Sequence, residues 1–220
     1  MLARMSLAVL GQPGAVEDLP MAALRAQFEA NFFGWHDLTR RFIPAMRARR
    51  EGRIVQCSSV LGIVALKWRG AYNAAKFALE ALSDTLRLEL EGSGIKVAII
   101  EPGPIRSRFR INAIAQLHRH IDIEASVHRA DYARHVAREA TKRHGPGWGY
   151  ERPDDRRDGG FRLLPRYRLG PQAVLAALIH ALEHPRPKPR YRVTLATHLM
   201  ALARRALPWR LLDRLVRKVS

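Results

Sequence analysis

Apolar residues at Leu24, Phe28, Phe32, Trp35, Leu38, Phe42 and Met46 recur three or four positions apart, so the pattern predicts one long helix over 20–50 with a buried face. Asp18 before Pro20 supplies a start and Gly52 a stop, while Pro44 predicts a kink or an early end near Ile43. A short β-type run over 53–59 follows. A second helix is expected from about 72 to 91, turning Phe77, Leu79, Leu82, Leu86 and Leu90 inward and ending at Gly92 and Gly94. The run 96–100, bounded by Pro102, Gly103 and Pro104, reads as a strand buried on both faces.

Helix, strand, helix, strand is the rhythm of an α/β fold with a parallel sheet and right-handed crossovers. Beyond it, 105–140 reads as helical, 143–170 as a Gly/Pro/Arg-rich loop, 171–184 as a helix and 191–195 as a last strand. The segment 196–219 closes the chain as a basic amphipathic helix interrupted by Pro208. There is no internal repeat, and one domain over 1–220 is expected.

Charge changes this picture only regionally. Of 38 Lys and Arg, 32 are Arg; residues 1–100 carry 13 positive and 9 negative groups, whereas 101–220 carry 25 and 11. A basic half signals nucleic acid or an anionic membrane surface. The few aromatics are not interleaved with the basic residues as a single-strand binder needs, which argues against nucleic acid. Arg in place of Lys is also what a GC-rich genome produces. No apolar stretch reaches the ~18 residues that span a bilayer, 6–10 is too short for a signal-peptide core, and Cys57 is the one cysteine, so a cytoplasmic location is expected.

The chemistry-bearing constellation is Ser59, Tyr72 and Lys76, with Asn31 upstream. Tyr and Lys at i and i+4 share a helical face, so an ammonium near the phenol favours its ionised form and makes it a usable acid or base near neutral pH. A hydroxyl ending the preceding strand can hold a substrate oxygen. Four histidines, His118, His120, His128 and His135, invite a metal reading, yet they sit among arginines without a carboxylate at ligand spacing, so no metal is expected. Cys57 reads as a small core residue, not a nucleophile.

The surroundings of these residues resemble the short-chain dehydrogenase/reductase family. Residues 52–62 (GRIVQCSSVLG) look like its serine-bearing strand, and 72–80 (YNAAKFALE) like its tyrosine-lysine helix, with the family's interval of 13 between Ser59 and Tyr72. Asn31, in EANFFG, stands 28 residues before Ser59, and 101–107 (EPGPIRS) resembles the Pro-Gly segment. The resemblance covers roughly 11–110. It implies a partial Rossmann-like doubly wound parallel sheet and hydride transfer between NAD or NADP and an alcohol or carbonyl. It further implies Tyr72 as acid/base, Lys76 as the group that lowers its pKa and binds the nicotinamide ribose, Ser59 on the substrate oxygen and Asn31 ordering a relay water. Pro102, Gly103, Ile105 and Ser107 would line the cofactor, Ile105 through its backbone and Ser107 where the family usually has Thr. The sequence around Phe77 and Pro104 leans towards members acting on steroid- or retinol-like lipids.

The front of the chain departs from the family. A dinucleotide site needs a Gly-rich turn between a first strand and helix, and Gly11-Gln12-Pro13-Gly14 is no such turn because Pro13 lacks an amide and no helix follows at once. The family's Asn-Asn-Ala-Gly segment falls near 6–9, where this chain reads Ser6-Leu7-Ala8-Val9. The expected division is therefore a remnant or replaced strand over 1–10, a catalytic core over 11–110, a substrate-loop region over 111–170 and a C-terminal helix, strand and basic helix over 171–220. Three readings stand side by side: an oxidoreductase of impaired activity as a truncated chain, a non-catalytic or dimerising interaction protein, and a basic binder of nucleic acid or membrane. A small-molecule substrate, a homo-oligomer and peripheral membrane contact through 196–219 are the partners these readings name. In 143–168, Trp148, Tyr150, Phe161 and Tyr167 lie among arginines, as a cover over a substrate pocket or as an insertion.

Overall fold

The computed structural model describes residues 3–6, 10–140 and 169–219. Four parallel strands, β1 (Ala3–Ser6), β2 (Gly52–Cys57), β3 (Ile95–Glu101) and β4 (Arg190–Arg192), lie side by side in the order of the sequence. Met5 stands opposite Val55, Val55 opposite Ala98, and Ile100 opposite Tyr191. Neighbouring parallel strands need crossovers, and helices supply them.

The helices are α1 (Met21–Phe28), α2 (Gly34–Ala48), α3 (Gly70–Glu89), α4 (Phe109–His120), α5 (Arg129–Ala140), α6 (Gln172–Glu183), α7 (Leu195–Ala206) and α8 (Trp209–Val219). They cover both faces of the sheet. Ile54, Ile95 and Val97 pack under Met46, Phe42 and Ile43 of α2 and Leu86 of α3. On the other face Val55, Ala98 and Ile100 pack with Ala181, Val174 and Leu178 of α6 and with Tyr191. Adjacent residues such as Ile54 and Val55 thus enter different cores, which is why the strands read as unbroken apolar runs.

The single helix expected over 20–50 is broken, and not at Pro44. α2 runs through Pro44 to Ala48, and the carbonyl that the missing amide leaves unbonded belongs to Arg40, an exposed residue. The irregularity lies earlier, in a π-helical turn over Glu29–Phe33 between α1 and α2. The helical reading of 105–140 is likewise interrupted, by an irregular stretch over 121–128 between α4 and α5. Where one basic helix over 196–219 was expected with Pro208 interrupting it, Pro208 separates α7 from α8.

α3 buries Leu79, and Leu90 at its end, as expected, but most of its buried face is made of other residues. Its buried residues are Ala71, Tyr72, Asn73, Ala75, Lys76, Leu79, Glu80 and Ser83, while Phe77, Leu82 and Leu86 are only half-buried. The substrate-loop aromatics Trp148, Tyr150, Phe161 and Tyr167 lie outside the described residues.

Candidate active site

β2 ends at Cys57, and the chain then turns across the carboxyl ends of the strands. Ser58 N–H donates to the Ile100 carbonyl at 2.8 Å and Val60 N–H to the Pro102 carbonyl at 2.8 Å, tying this segment to the end of β3. Between them Ser59 is extended, and its Oγ accepts from Leu61 N–H at 3.1 Å, capping a 3-10 turn over Val60–Gly62. Asn73, in the first turn of α3, donates from Nδ2 to the Leu61 and Val64 carbonyls at 3.1 and 2.9 Å. The start of α3 is therefore fixed against the serine segment, which sets Tyr72 beside Ser59.

Tyr72 is buried, and burial holds its phenol above the ordinary tyrosine range, with the nearby Ser59 hydroxyl and the Arg69 charge pulling the other way. Lys76, one turn on, is wholly buried. Its Nζ donates to the Cys57 carbonyl at 2.8 Å, stands 4.2 Å from the centre of the Trp35 ring and lies 5.6 Å from that of Tyr72. Burial brings the ammonium down to about 8, against the pull of Cys57 and Glu80. Lys76 shares a face with Tyr72 but is committed to the strand end, and the cation that favours the phenolate is Arg69. The Cys57 thiol is buried and pushed up by that burial, a poor nucleophile.

Asn31 sits in the middle of the π-helical turn, fully buried. Its Nδ2 donates to the Leu10 and Gln27 carbonyls at 3.0 and 3.2 Å. Gln27 Nε2 donates to the same Leu10 carbonyl at 2.8 Å, and Gln27 Oε1 accepts from Gln12 N–H at 2.7 Å. The Asn31 amide is thereby oriented, and its Oδ1 is left buried without a protein partner. Such an acceptor costs about 1–3 kcal/mol unless a donor reaches it, and it marks a place for one.

The Pro-Gly segment leaves β3 at the same end of the sheet. A Cβ at Gly103 would lie 2.0 Å from Thr194 Oγ1, so only glycine lets the N-terminus of α7 approach. Ile105 forms a parallel bridge with Leu169 through the flanking Pro104 carbonyl and Arg106 amide, not through its own peptide groups. Ser107 is exposed, and its Oγ accepts from Phe109 N–H at 3.3 Å. The structure thus gathers Ser59, Tyr72 and Lys76, sets Asn31 one turn before Trp35, whose ring the Lys76 ammonium faces, places Pro102, Gly103 and Ile105 at the end of β3, and turns the Ser107 hydroxyl to the start of α4.

Gln12, Gln27 and Phe109 were not among the expected site residues, and Trp35 was expected only as part of an apolar helix face. Gln27, Asn31 and Trp35 are spaced by four, a signal of one shared face that was legible. Gln12 is identified only by its contacts. Phe109 packs on Tyr72 with ring centres 5.2 Å apart and lies so close to Gly11 that a Cβ there would be 2.4 Å from its ring, so it covers the phenol. Behind α3, Arg190 pairs with Glu80, with Asp84 and, at 2.5 Å, with Glu101, which also holds Arg192 at 3.2 Å. Burial raises the Glu80 carboxyl.

Among the described residues no cluster of three or more His, Cys, Asp or Glu could hold a metal. His120 meets Gln12 Oε1 at 2.8 Å and His128 meets Glu17 at 2.5 Å. No helix among the described residues is long and apolar enough to cross a membrane.

The sequence model of a family described as short chain dehydrogenase matches residues 6–118. The chain is 40% identical over 206 residues to the uncharacterized oxidoreductase YbbO of Escherichia coli K12, covering 94% of this chain and 63% of that protein's length. It is 37% identical over 108 residues to human retinol dehydrogenase 8, covering 49% of this chain and 35% of that one. Among solved structures, a short-chain dehydrogenase from Streptomyces avermitilis superposes with a TM-score of 0.64 at 26% identity, over 92% of this chain and 64% of that one. A Burkholderia cenocepacia short chain dehydrogenase in complex with NADP gives 0.63 at 21% identity, over 98% of this chain and 70% of that one, a likeness of fold.

Proposed function

The chain belongs to the short-chain dehydrogenase family, and from that premise we propose that Asn31, Ser59, Tyr72 and Lys76 form the proton-transfer half of a nicotinamide-dependent oxidoreductase acting on an alcohol or carbonyl. The observation that carries this reading is the cluster of half-buried Ser59 with buried Tyr72 and Lys76 at the carboxyl ends of β2 and β3, where open α/β sheets bind ligands. The name of the human relative supports a lipophilic alcohol or carbonyl as substrate.

The nicotinamide end of a dinucleotide fits this site. Ile105 has peptide groups that its bridge does not use, Lys76 presents a buried ammonium for ribose hydroxyls, and Asn31 Oδ1 is an acceptor in need of a donor. Pro102, Gly103 and Ser107 would flank the rest. The 220 residues themselves carry no Gly-rich turn for the pyrophosphate, so affinity of this chain alone is expected to be millimolar or weaker. NAD or NADP, when bound, supplies or accepts the hydride.

The chain's own residues do the rest. Ser59 Oγ donates to the substrate oxygen and holds it against the Tyr72 hydroxyl. Tyr72 passes its proton to that oxygen as the carbonyl is reduced, and takes it back in the reverse direction. Burial keeps the phenol protonated at neutral pH, which suits the reducing direction. Lys76 holds the Cys57 carbonyl, and Asn31 Oδ1 accepts from a water that refills the proton. Residues 11–110 act as the catalytic core and 111–170 as the substrate region. Exposed Phe33 and Leu88 support a homo-oligomer, and the buried free thiol of Cys57 supports a reducing, cytoplasmic setting.

One observation favours a second reading, a non-catalytic interaction protein: Phe109 covers the phenol. The test is NADH and NADPH titration by calorimetry with turnover of retinal-like and steroid carbonyls, for the chain and for Phe109→Ala. Turnover that rises in Phe109→Ala and vanishes with Tyr72→Phe is the expected result. No turnover in either form, at cofactor concentrations that saturate the chain, would overturn the oxidoreductase reading and leave the second.

A further inference from the structure

α7 and α8 have two faces, and the protein interior accounts for only one. Leu212, Leu215 and Val216 of α8 pack with Met200 and Ala203 of α7 onto Val60, Ile63 and Val64, the segment that follows Ser59. On the outside, Leu202 is 63% exposed, Leu207 37%, Trp209 65% and Leu211 45%. Leu207 and Trp209 flank Pro208 and Leu211 lies three residues beyond it, so the apolar side chains gather at the elbow between the helices. Of the leucine stripe expected over 196–219, Leu215 turns inward while Leu202, Leu207 and Leu211 turn out.

The charges around that elbow are equally unmatched. Residues 195–219 hold six Arg or Lys against the single acid Asp213. Arg205, Arg210, Arg214 and Lys218 are exposed and form no ion pair among the described residues, whereas Arg41, Arg129 and Arg134 are each paired with a nearby carboxylate. The Arg204 guanidinium stacks 3.9 Å from the centre of the Trp209 ring, holding that ring outward.

We propose that this α7–α8 elbow docks onto an anionic phospholipid surface, with Leu207, Trp209 and Leu211 in the interfacial layer and Arg205, Arg210, Arg214 and Lys218 on lipid phosphates. The choice of occupant follows from charge and apolarity taken together. A second copy of the chain would bring two surfaces of the same sign face to face. A nucleic acid would satisfy the arginines but leave the leucines and the tryptophan in water. An anionic bilayer takes both, as aromatic and aliphatic side chains lodge at the headgroup boundary and each basic side chain adds its own attraction. The inference stands independently of the oxidoreductase reading.

The test is flotation of the full chain with vesicles of three parts phosphatidylcholine to one part phosphatidylglycerol, against pure phosphatidylcholine, at low and high sodium chloride. Binding at least ~10-fold stronger to the anionic vesicles, lost at high salt, is expected. Trp209→Glu with Leu211→Glu, and separately Arg210→Glu with Arg214→Glu, should each lower it by at least ~10-fold while circular dichroism shows the fold unchanged. Vesicles should also shift tryptophan emission to the blue in the wild type and not in Trp209→Phe. Equal binding to both vesicle types, no binding, or wild-type binding by both double variants would overturn the proposal. So would a dimer that dissolves in Leu211→Glu, which would make a second copy the occupant, or duplex DNA binding that survives Trp209→Glu with Leu211→Glu.

Discussion

α3 and α8 are both amphipathic helices that bury opposite kinds of face. α8 puts Leu212, Leu215 and Val216 inward and its arginines outward. α3 buries Tyr72, Asn73, Lys76, Glu80 and Ser83 and leaves Leu88 62% exposed. Burying polar and charged groups is unfavourable unless each finds a partner, and in α3 the partners are specific: carbonyls for Asn73 and Lys76, and Arg190 for Glu80. A helix that turns its charges inward has been shaped by something other than core packing.

The largest effect should come from the polar face of α3. In a form of the protein that turns over substrate, Tyr72→Phe should lower kcat by about 10²–10⁴-fold, the worth of a positioned acid/base, with cofactor affinity nearly unchanged. Steady-state kinetics with parallel calorimetry check this, and unchanged turnover would remove Tyr72 from the mechanism.

Arg190→Met asks whether the buried carboxylates behind α3 depend on their cation. Removing it leaves Glu80 without its paired guanidinium and Glu101 with only Arg192, so unfolding in denaturant at neutral pH should come on the order of 3 kcal/mol more easily. Acidification should return part of that loss as the Glu80 carboxyl protonates. A loss independent of pH would mean the network is a packing feature and not an electrostatic one.

The buried Lys76 ammonium makes stability depend on pH. Its proton leaves near pH 8 in the folded chain, against 10.5 ordinarily, so between those values the unfolded chain holds more protons and stability rises with pH. At about 1.4 kcal/mol per pH unit, the charged form disfavours folding by about 3 kcal/mol below pH 8, and that penalty fades as pH climbs towards 10.5. Denaturant unfolding of the wild type and Lys76→Met at pH 7 and pH 10 should show the wild type gaining relative to the variant. The same profile for both would remove the buried ammonium from the account.

The smallest effect belongs to α8. Trp209→Gln and Leu211→Gln change exposed positions and should move the melting free energy by no more than about 0.5 kcal/mol, measured by thermal denaturation. A loss above 1 kcal/mol would mean that the elbow is covered in solution and that the two helices differ less than their exposures indicate.

Much of this was legible in the chain. The strands at 53–59 and 96–100 and the helices at 72–91 and 171–184 are seen within a few residues of their expected places, because a parallel strand buried on both faces and a helix bounded by glycines leave local marks. Tyr72 and Lys76 share one face of α3, as the spacing by four requires. Part of the buried face of α3 was misjudged because periodicity assigns leucines inward by default, while the turns that hold Lys76 and Glu80 turn those polar residues inward and leave Phe77 and Leu82 half-buried. The π-helical turn at Asn31 leaves no mark in the apolar period, since one extra residue in a turn shifts phase by less than the width of the stripe.

The α/β order, the apolar strands, the spacing of Ser59, Tyr72 and Lys76 and the basic excess of the second half are written into the chain itself, because all of them are properties of near neighbours along it. Only the tertiary structure decided which carbonyl Lys76 meets, that Gln27 and the Leu10 carbonyl orient Asn31, that Phe109 lies across Tyr72, and which leucines of α7 and α8 remain in water. Each of these depends on contacts between residues brought together by a crossover or a helix elbow, and neither periodicity nor spacing encodes how two distant segments meet.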